Sequence, residues 1–467
     1  MSQIPADTDP TDTDPTDTHP AAAPDWSRLE RQVPAWFTDA KLGIFIHWGP
    51  YSVPAWAEPT GELGAVDEGI WFRHNPYAEW YANTIRFPDS PAHEHHQQTY
   101  DGAPYDDFLD AWSVDAWDPG DWAALFARAG ARYVVPTTKH HDGVTLWDAP
   151  GTGSRNTVAR GPRRDLVGDL ATAVRDAGLR FGVYYSGGLD WHVSAFPPLD
   201  SSRAVGDIGR PKDAAYAAYA YLHAQDLIQR YRPDVLWNDI EWPDAGKHTG
   251  TLGLYRLFET YYSAVPDGLV NDRWGATHHD YRTSEYQAGR DHESGQAWEN
   301  CRGLGLSFGY NQVEDASHYL DAPAVVRHLI DVVSRGGNLL LDVGPTADGA
   351  IPDLQRRALD GLGDWMAVNA EAVHGSRPLD PTFARPSSDA GDEPWVRWTS
   401  RDGSAYAVVD AEGPVSLTVA ANRLDLASAT VLGAGPVSAT ATDRGMSLEL
   451  PERTAGAPSV VRFAMRG

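Results

Sequence analysis

The stretch Asp234-Val235-Leu236-Trp237-Asn238-Asp239-Ile240-Glu241-Trp242 decides how the chain reads. Val235, Leu236 and Trp237 form a short apolar run after Arg232-Pro233, the signature of a strand entering a sheet covered on both faces. Asp239 follows where a parallel strand gives way to its loop, and in a barrel or open α/β sheet that face carries chemistry. Trp237, two residues earlier, projects to the same side of the strand. An acid beside an indole suits a sugar-processing site. The plain alternative is that Asp239 caps the following segment or pairs with a nearby arginine.

Outward from this strand the same unit repeats. Upstream, Leu42 to Ile46 is an apolar run ending at His47-Trp48-Gly49, Tyr133 to Pro136 runs into Lys139-His140-His141-Asp142-Gly143, and Phe181 to Tyr185 follows. Between them lie helical patterns: Trp122, Leu125, Phe126 and Ala129 after Pro119, then Leu166, Leu170 and Val174 after the capping Asp165, then Asp213 to Gln229. Strand, helix, strand at regular spacing means parallel crossovers that close a barrel.

Downstream the rhythm changes. A helix is predicted from Leu252 to Tyr262 and a strand at Leu269-Val270, but the next strand-like stretch, Tyr281 to Tyr286, comes too soon for a crossover helix. Residues 287 to 300 show no helical period, and strand character is predicted to resume from Gly303 to Phe308. A helix from Pro323, the strand Leu339 to Val343 and a helix from Pro352 close the barrel. Beyond a Pro/Ser/Asp-rich stretch, short runs such as Tyr406-Ala407-Val408-Val409 and Ser447-Leu448-Glu449-Leu450 alternate between Gly-containing turns. The predicted fold is α/β: an irregular (β/α)8 TIM-like barrel, short of helices around its fifth and sixth strands, followed by a C-terminal all-β sandwich. The expected divisions are an acidic disordered tail at 1–24, the catalytic barrel at 25–377, a linker at 378–388 and the sandwich at 389–467.

Composition narrows the function. The chain has 467 residues and a formal net charge of -27, so nucleic acid and anionic membranes are disfavoured partners by repulsion, and a neutral or cationic ligand is expected. Its Lys-poor acidity fits a high-salt cytoplasm, and an Arg- and Ala-favouring genome explains it equally well. With 18 Trp and 20 Tyr, the chain has more aromatic surface than packing needs, and such rings stack on the C–H faces of sugars. A single cysteine, Cys301, excludes an internal disulfide. No apolar run reaches transmembrane length, and the polar start lacks a secretory pattern, so a cytoplasmic location is expected. His93-Glu94-His95-His96 suggests a helical zinc motif, but Gln97 stands where the second ligand is required.

The polar groups at predicted strand ends are His47, His140, His141, Tyr184, Asp239, Arg273 and Glu285, with Trp237 and Phe308 as aromatic walls. Glycoside hydrolysis needs two carboxyl groups, one ionised and one protonated. Asp239 suits the first if Arg273 or a histidine holds it charged, and Glu285 suits the second in an aromatic, partly dry neighbourhood. Two other classes are open: a sugar-binding protein that has lost catalysis, and a metal hydrolase using His140, His141 and Asp142.

The motifs Gly43-Ile44-Phe45-Ile46-His47-Trp48-Gly49, Lys139-His140-His141-Asp142-Gly143, Tyr184-Tyr185-Ser186, Leu236-Trp237-Asn238-Asp239 and Asn271-Asp272-Arg273-Trp274-Gly275 resemble those of glycoside hydrolase family 29, the retaining α-L-fucosidases. The likeness runs from about Trp36 to Pro378 and implies the irregular barrel and sandwich of that family. It implies Asp239 as nucleophile and Glu285 as acid/base, the latter as in bacterial members; Glu241, two residues after Asp239, is the local rival by position. It implies a fucose pocket lined by His47, Glu79, His140, His141, Tyr184, Trp237, Arg273 and Phe308, with no metal and no cofactor. The implied substrates are fucosylated oligosaccharides or aryl fucosides; assembly into a homo-oligomer is left open.

Overall fold

The computed structural model describes residues 24–62, 64–286, 295–384, 386–387, 394–443, 445–453 and 456–466. The barrel strands are β1 (Leu42–Ile46), β2 (Tyr133–Lys139), β3 (Arg180–Ser186), β4 (Val235–Asp239), β5 (Leu269–Val270), β6 (Arg282–Glu285), β7 (Trp298–Gly303) and β8 (Asn338–Val343). They lie in the order β5-β4-β3-β2-β1-β8-β7-β6, each bonded pair parallel. This is the strand order of a (β/α)8 barrel, with β1 against β8 and a seam between β5 and β6, which do not pair.

Side-chain alternation builds two layers of core. Phe45, Tyr133, Val135, Tyr184, Val235, Trp237, Leu269, Cys301 and Leu340 turn inward and fill the barrel. Their strand neighbours Ile44, Val134, Val183, Leu236, Val270 and Leu339 turn outward and meet the helices. Those helices are Pro119–Arg128, Leu166–Asp176, Ala214–Tyr231, Leu254–Ala264, Ala322–Ser334 and Asp353–Asn369. The carboxylates of Asp118, Asp165, Asp213 and Asp321 accept backbone N–H groups at four of the starts, each cap contributing about 1 kcal/mol.

Among the described residues no helix separates β5 from β6, as the spacing predicts. The seventh strand corrects the sequence reading. It is Trp298–Gly303, earlier than the predicted Gly303 to Phe308, and all of it is buried. Its polar residues conceal it from a hydropathy pattern because each is paired inside the fold. Glu299 accepts from the Tyr133 hydroxyl and the Trp237 indole, the Asn300 amide donates to Ser284, and Arg302 donates to Glu62.

The excursion after β1 carries several short helices, including Pro91–Tyr100. Its histidines are engaged locally: His93 with the Ile85 carbonyl, His96 with Tyr81 and the Ala103 carbonyl, and His95 stacked on Trp56. Among the described residues no cluster of His, Cys, Asp or Glu is arranged to hold a metal ion, and no helix is long and apolar enough to cross a membrane.

The C-terminal residues form a six-stranded and a three-stranded sheet, antiparallel throughout. Ala405, Ala407, Val409, Val461 and Phe463 face the core between them. The alternate residues Tyr406, Val408 and Val460 join the core of the barrel helices. Leu379 and Ala384, from the stretch read as a linker, pack into the sandwich core.

Gly43 opposes Tyr133 in the β1–β2 register, and a Cβ there would lie 2.4 Å from the ring. The Gly43→Val variant is expected to lose about 1–3 kcal/mol in urea unfolding, because the ring has a filled barrel behind it. An unchanged midpoint would contradict that packing.

Candidate active site

The C-terminal strand ends converge on a cavity of about 130 Å³ whose walls include His47, Glu79, His141, Tyr184, Asp239, Arg273 and Glu285. Asp239 is the last residue of β4, and its backbone is fixed from both sides. Asn238 and Asn271 exchange hydrogen bonds, backbone N–H to side-chain oxygen at 3.0 Å and side-chain amide to carbonyl at 2.9 Å. The Asn238 amide also donates to the carbonyls of Glu241 and Arg273. These bonds hold Ile240 and Glu241 in the left-handed region, at φ 57° and 77°, which costs non-glycine residues on the order of 1–3 kcal/mol. The Trp-Asn-Asp and Asn-Asp-Arg motifs are thus one clamp.

The clamp aims Arg273 at both candidate carboxylates. Its Nη1 donates to Asp239 at 3.0 Å, its Nη2 to Glu285 at 3.1 Å, and its Nε to Thr283 on β6. The guanidinium carbon lies 4.7 Å from the centre of the Trp237 ring. Asp239 also accepts from the Tyr184 hydroxyl at 2.8 Å, with His141 Nε2 3.8 Å away. Burial pushes the Asp239 carboxyl up, but Arg273, with His141 and Tyr184, outweighs it and holds the group below its ordinary value.

Glu285 ends β6 and accepts a second hydrogen bond, from the Tyr77 hydroxyl at 3.0 Å. Glu241, two residues past Asp239, is bound by Arg210 and Lys247 and lines a neighbouring cavity instead. Of the two rivals for a proton-transfer role, only Glu285 faces Asp239 across the guanidinium.

The remaining walls are neutral hydrogen-bonding groups. Burial drives His47 down to about 3 and His141 to about 4, so both rings are uncharged at neutral pH. His47 Nδ1 meets Asp342 at 2.7 Å and His141 Nδ1 meets the Ser186 hydroxyl at 2.7 Å, which orients each ring. His140 stacks on Tyr184. Glu79 is pushed up to about 7 by burial, against the Gly309 N–H and the Ser307 hydroxyl that it accepts. Phe308 packs beside His47 and Tyr77.

All ten sequence-predicted residues therefore meet at one cavity. Sequence reasoning assigned no role to Tyr77, Trp80, Asp342 or Glu299. Tyr77 and Trp80 flank Glu79 in the aromatic excursion, which was their only signal, and Asp342 sits near the end of β8. Glu299 lies beneath the site, burial pushing it up to about 7, and receives the Trp237 and Tyr133 donors.

Two carboxyl groups held from adjacent nitrogens of one arginine, at the carboxyl end of a parallel barrel and among aromatic walls and neutral histidines, make this a glycoside hydrolase. Residues 11–371 match the family model described as alpha-L-fucosidase. The chain is 34% identical over 402 residues to an alpha-L-fucosidase of Dictyostelium discoideum, covering 83% of this chain and 80% of that protein. An α-L-fucosynthase of Thermotoga maritima, solved in complex with alpha-L-Fuc-(1-2)-beta-L-Fuc-N3, superposes with TM-score 0.84 at 43% identity over 94% of this chain and 99% of its own. The α-fucosidase of the same organism in complex with fucose gives 0.83 at 41% identity over 95% and 100%. The chain belongs to the α-L-fucosidase family, glycoside hydrolase family 29.

Glu299 supplies a pH test of the floor. Its carboxyl keeps a proton in the folded protein that the unfolded chain releases near 4.5, so its stabilising contribution is whole below that value and lost as pH rises through about 7. Glu299→Gln does not titrate. Its stability relative to the parent, from urea titrations, is expected to rise between pH 4.5 and 8; parallel curves would rule out a proton on Glu299.

Proposed function

We propose that this α-L-fucosidase is an exo-acting, retaining enzyme that removes terminal α-L-fucose from oligosaccharides or glycoconjugates by double displacement. The observation that carries the reading is the Arg273 fork between Asp239 and Glu285. It holds two carboxyl groups on one small cavity, which favours the retaining separation of about 5–5.5 Å over the wider inverting one, where a water must fit between acid and sugar.

Asp239 is the nucleophile. Charge attraction from Arg273 and the Tyr184 hydrogen bond keep it ionised, so its Oδ attacks the anomeric carbon as the glycosidic bond breaks. Glu285 gives its proton to the departing oxygen, with Tyr77 and Arg273 fixing its orientation. A water then attacks the fucosyl-enzyme while Glu285 takes its proton, releasing fucose with the starting anomeric configuration and restoring both acids. Uncharged His47, His140 and His141, with Glu79, offer donors and acceptors to sugar hydroxyls. The apolar faces of Phe308 and Trp237 suit the methyl group that fucose carries in place of a 6-hydroxyl, a preference on the order of 1–3 kcal/mol. A cavity of about 130 Å³ suits a single terminal ring, hence exo action. The fucose and mechanism-based-inhibitor complexes of the Thermotoga maritima relative support the same substrate here.

Proton NMR of the first-formed product is expected to show α-fucose before mutarotation; β-fucose would exclude a retaining path. Asp239→Gly is expected to lose turnover on every fucoside. Glu285→Ala is expected to lose about 10²–10⁴-fold on natural fucosides and far less on aryl fucosides with good leaving groups. Equal loss on both would place the proton donor elsewhere.

A further inference from the structure

Two of the site motifs carry buried residues that stand outside the cavity walls and that the double displacement leaves unused: Lys139, before His140 and His141, and Ser186, after Tyr184 and Tyr185. We propose that Ser186, anchored through the Leu189 carbonyl to Lys139, is a positioning residue that keeps the His141 proton on Nδ1 and leaves Nε2 bare, an acceptor for a hydroxyl of the sugar. The proposal rests on the fucosidase reading above and deepens it by assigning His141 one of two hydrogen-bonding roles.

The proton of one hydroxyl carries the argument. The Ser186 oxygen lies 2.8 Å from the Leu189 carbonyl oxygen and 2.7 Å from His141 Nδ1. A carbonyl only accepts, so the single hydroxyl proton goes to Leu189, and Ser186 has only lone pairs left for the imidazole. Nδ1 must then donate. The opposite tautomer would turn the hydroxyl toward Nδ1 and press two oxygen lone pairs together. Burial already keeps the ring neutral, so a proton on Nδ1 leaves none on Nε2.

The relay is fixed at both ends. Lys139 Nζ donates to the Leu189 carbonyl at 3.3 Å and to the Asp190 carboxylate at 3.0 Å, and it lies 4.8 Å from the centre of the Tyr185 ring. Asp190 also accepts the backbone N–H groups of His192 and Val193, so a buried ion pair sets the turn that presents Leu189. At the other end the Trp191 N–H donates to the His141 carbonyl at 2.7 Å, and the Trp80 and Trp191 rings meet the imidazole edge-on, each at 5.4 Å. Held in this way, His141 Nε2 stands 3.8 Å from Asp239 Oδ2, beyond hydrogen-bond reach. Two acceptors facing each other across that gap suit a hydroxyl between them. A bare Nε2 also spares the nucleophile a third donor beside Arg273 and Tyr184, which would weaken its attack.

Nitrogen NMR of the protein labelled at its histidine ring nitrogens reads the tautomer directly. The His141 signals, identified as those missing from His141→Gln, are expected to show a protonated Nδ1 and a bare Nε2 in the fucose-free parent. Saturating fucose is expected to move Nε2 toward the hydrogen-bonded range. A proton on Nε2 in the fucose-free parent, or an Nε2 signal that fucose leaves in place, overturns the proposal. In Ser186→Ala the proton is expected to divide between the two nitrogens, with kcat/KM on an aryl fucoside down about tenfold or more. A variant that keeps the parental tautomer overturns the assignment whatever its activity, because lost packing alone lowers stability and leaves the proton where it was. A parent that cleaves no fucoside would instead overturn the reading of Asp239 and Glu285, while the tautomer of the fucose-free protein still decides the role of Ser186.

Discussion

A guanidinium placed between two carboxylates constrains everything around it. Arg273 is largely withdrawn from water, and a buried charge is tolerated only when its partners are close and its donors are used. Here Nη1, Nη2 and Nε each find an oxygen, on β4 and on β6, while the Trp237 ring covers one face. The arginine also spans the seam of the barrel. Where β5 and β6 exchange no ladder hydrogen bonds, side chains take over the connection. The irregular barrel and the paired acids meet at one place, where the loop after β5 carries Arg273 across the seam to Thr283 and Glu285 on β6.

The supports continue inward and outward. Beneath the site, Glu299 accepts from Trp237 and Tyr133, so the indole under Arg273 is pinned by a carboxyl that burial keeps near neutrality. Around it, His47 and His141 are each held at one ring nitrogen, leaving the other for a ligand. Neutral imidazoles suit a neutral sugar, since a charged ring would disturb the balance between Asp239 and Arg273. Above it, Tyr77 and Trp71 connect the proposed proton donor to the neighbouring cavity. Trp71, Trp80 and Ile240 line both cavities.

Much of this was legible beforehand. Strands β1 to β4 and β8 each contain a short apolar run with a chemical residue at or near its end, and such runs are what doubly covered parallel strands require. β7 escaped because Glu299, Asn300 and Arg302 are polar, and only distant partners make their burial tolerable. Glu241 and Glu285 were both candidates because each lies close to the motifs; Arg210 and Lys247 pair with the first and Arg273 with the second.

By itself the sequence determined the barrel, the absence of a helix after β5, the sandwich and ten of the residues that meet at the cavity, because hydropathy period, caps and motif order are local properties of the chain. Only the tertiary structure decided which acids face each other, that Tyr77 reaches Glu285 across 208 positions of sequence, and that a second cavity adjoins the first. Those relations depend on distances between elements far apart in the chain, and separations of that kind leave no periodic trace in the residues themselves.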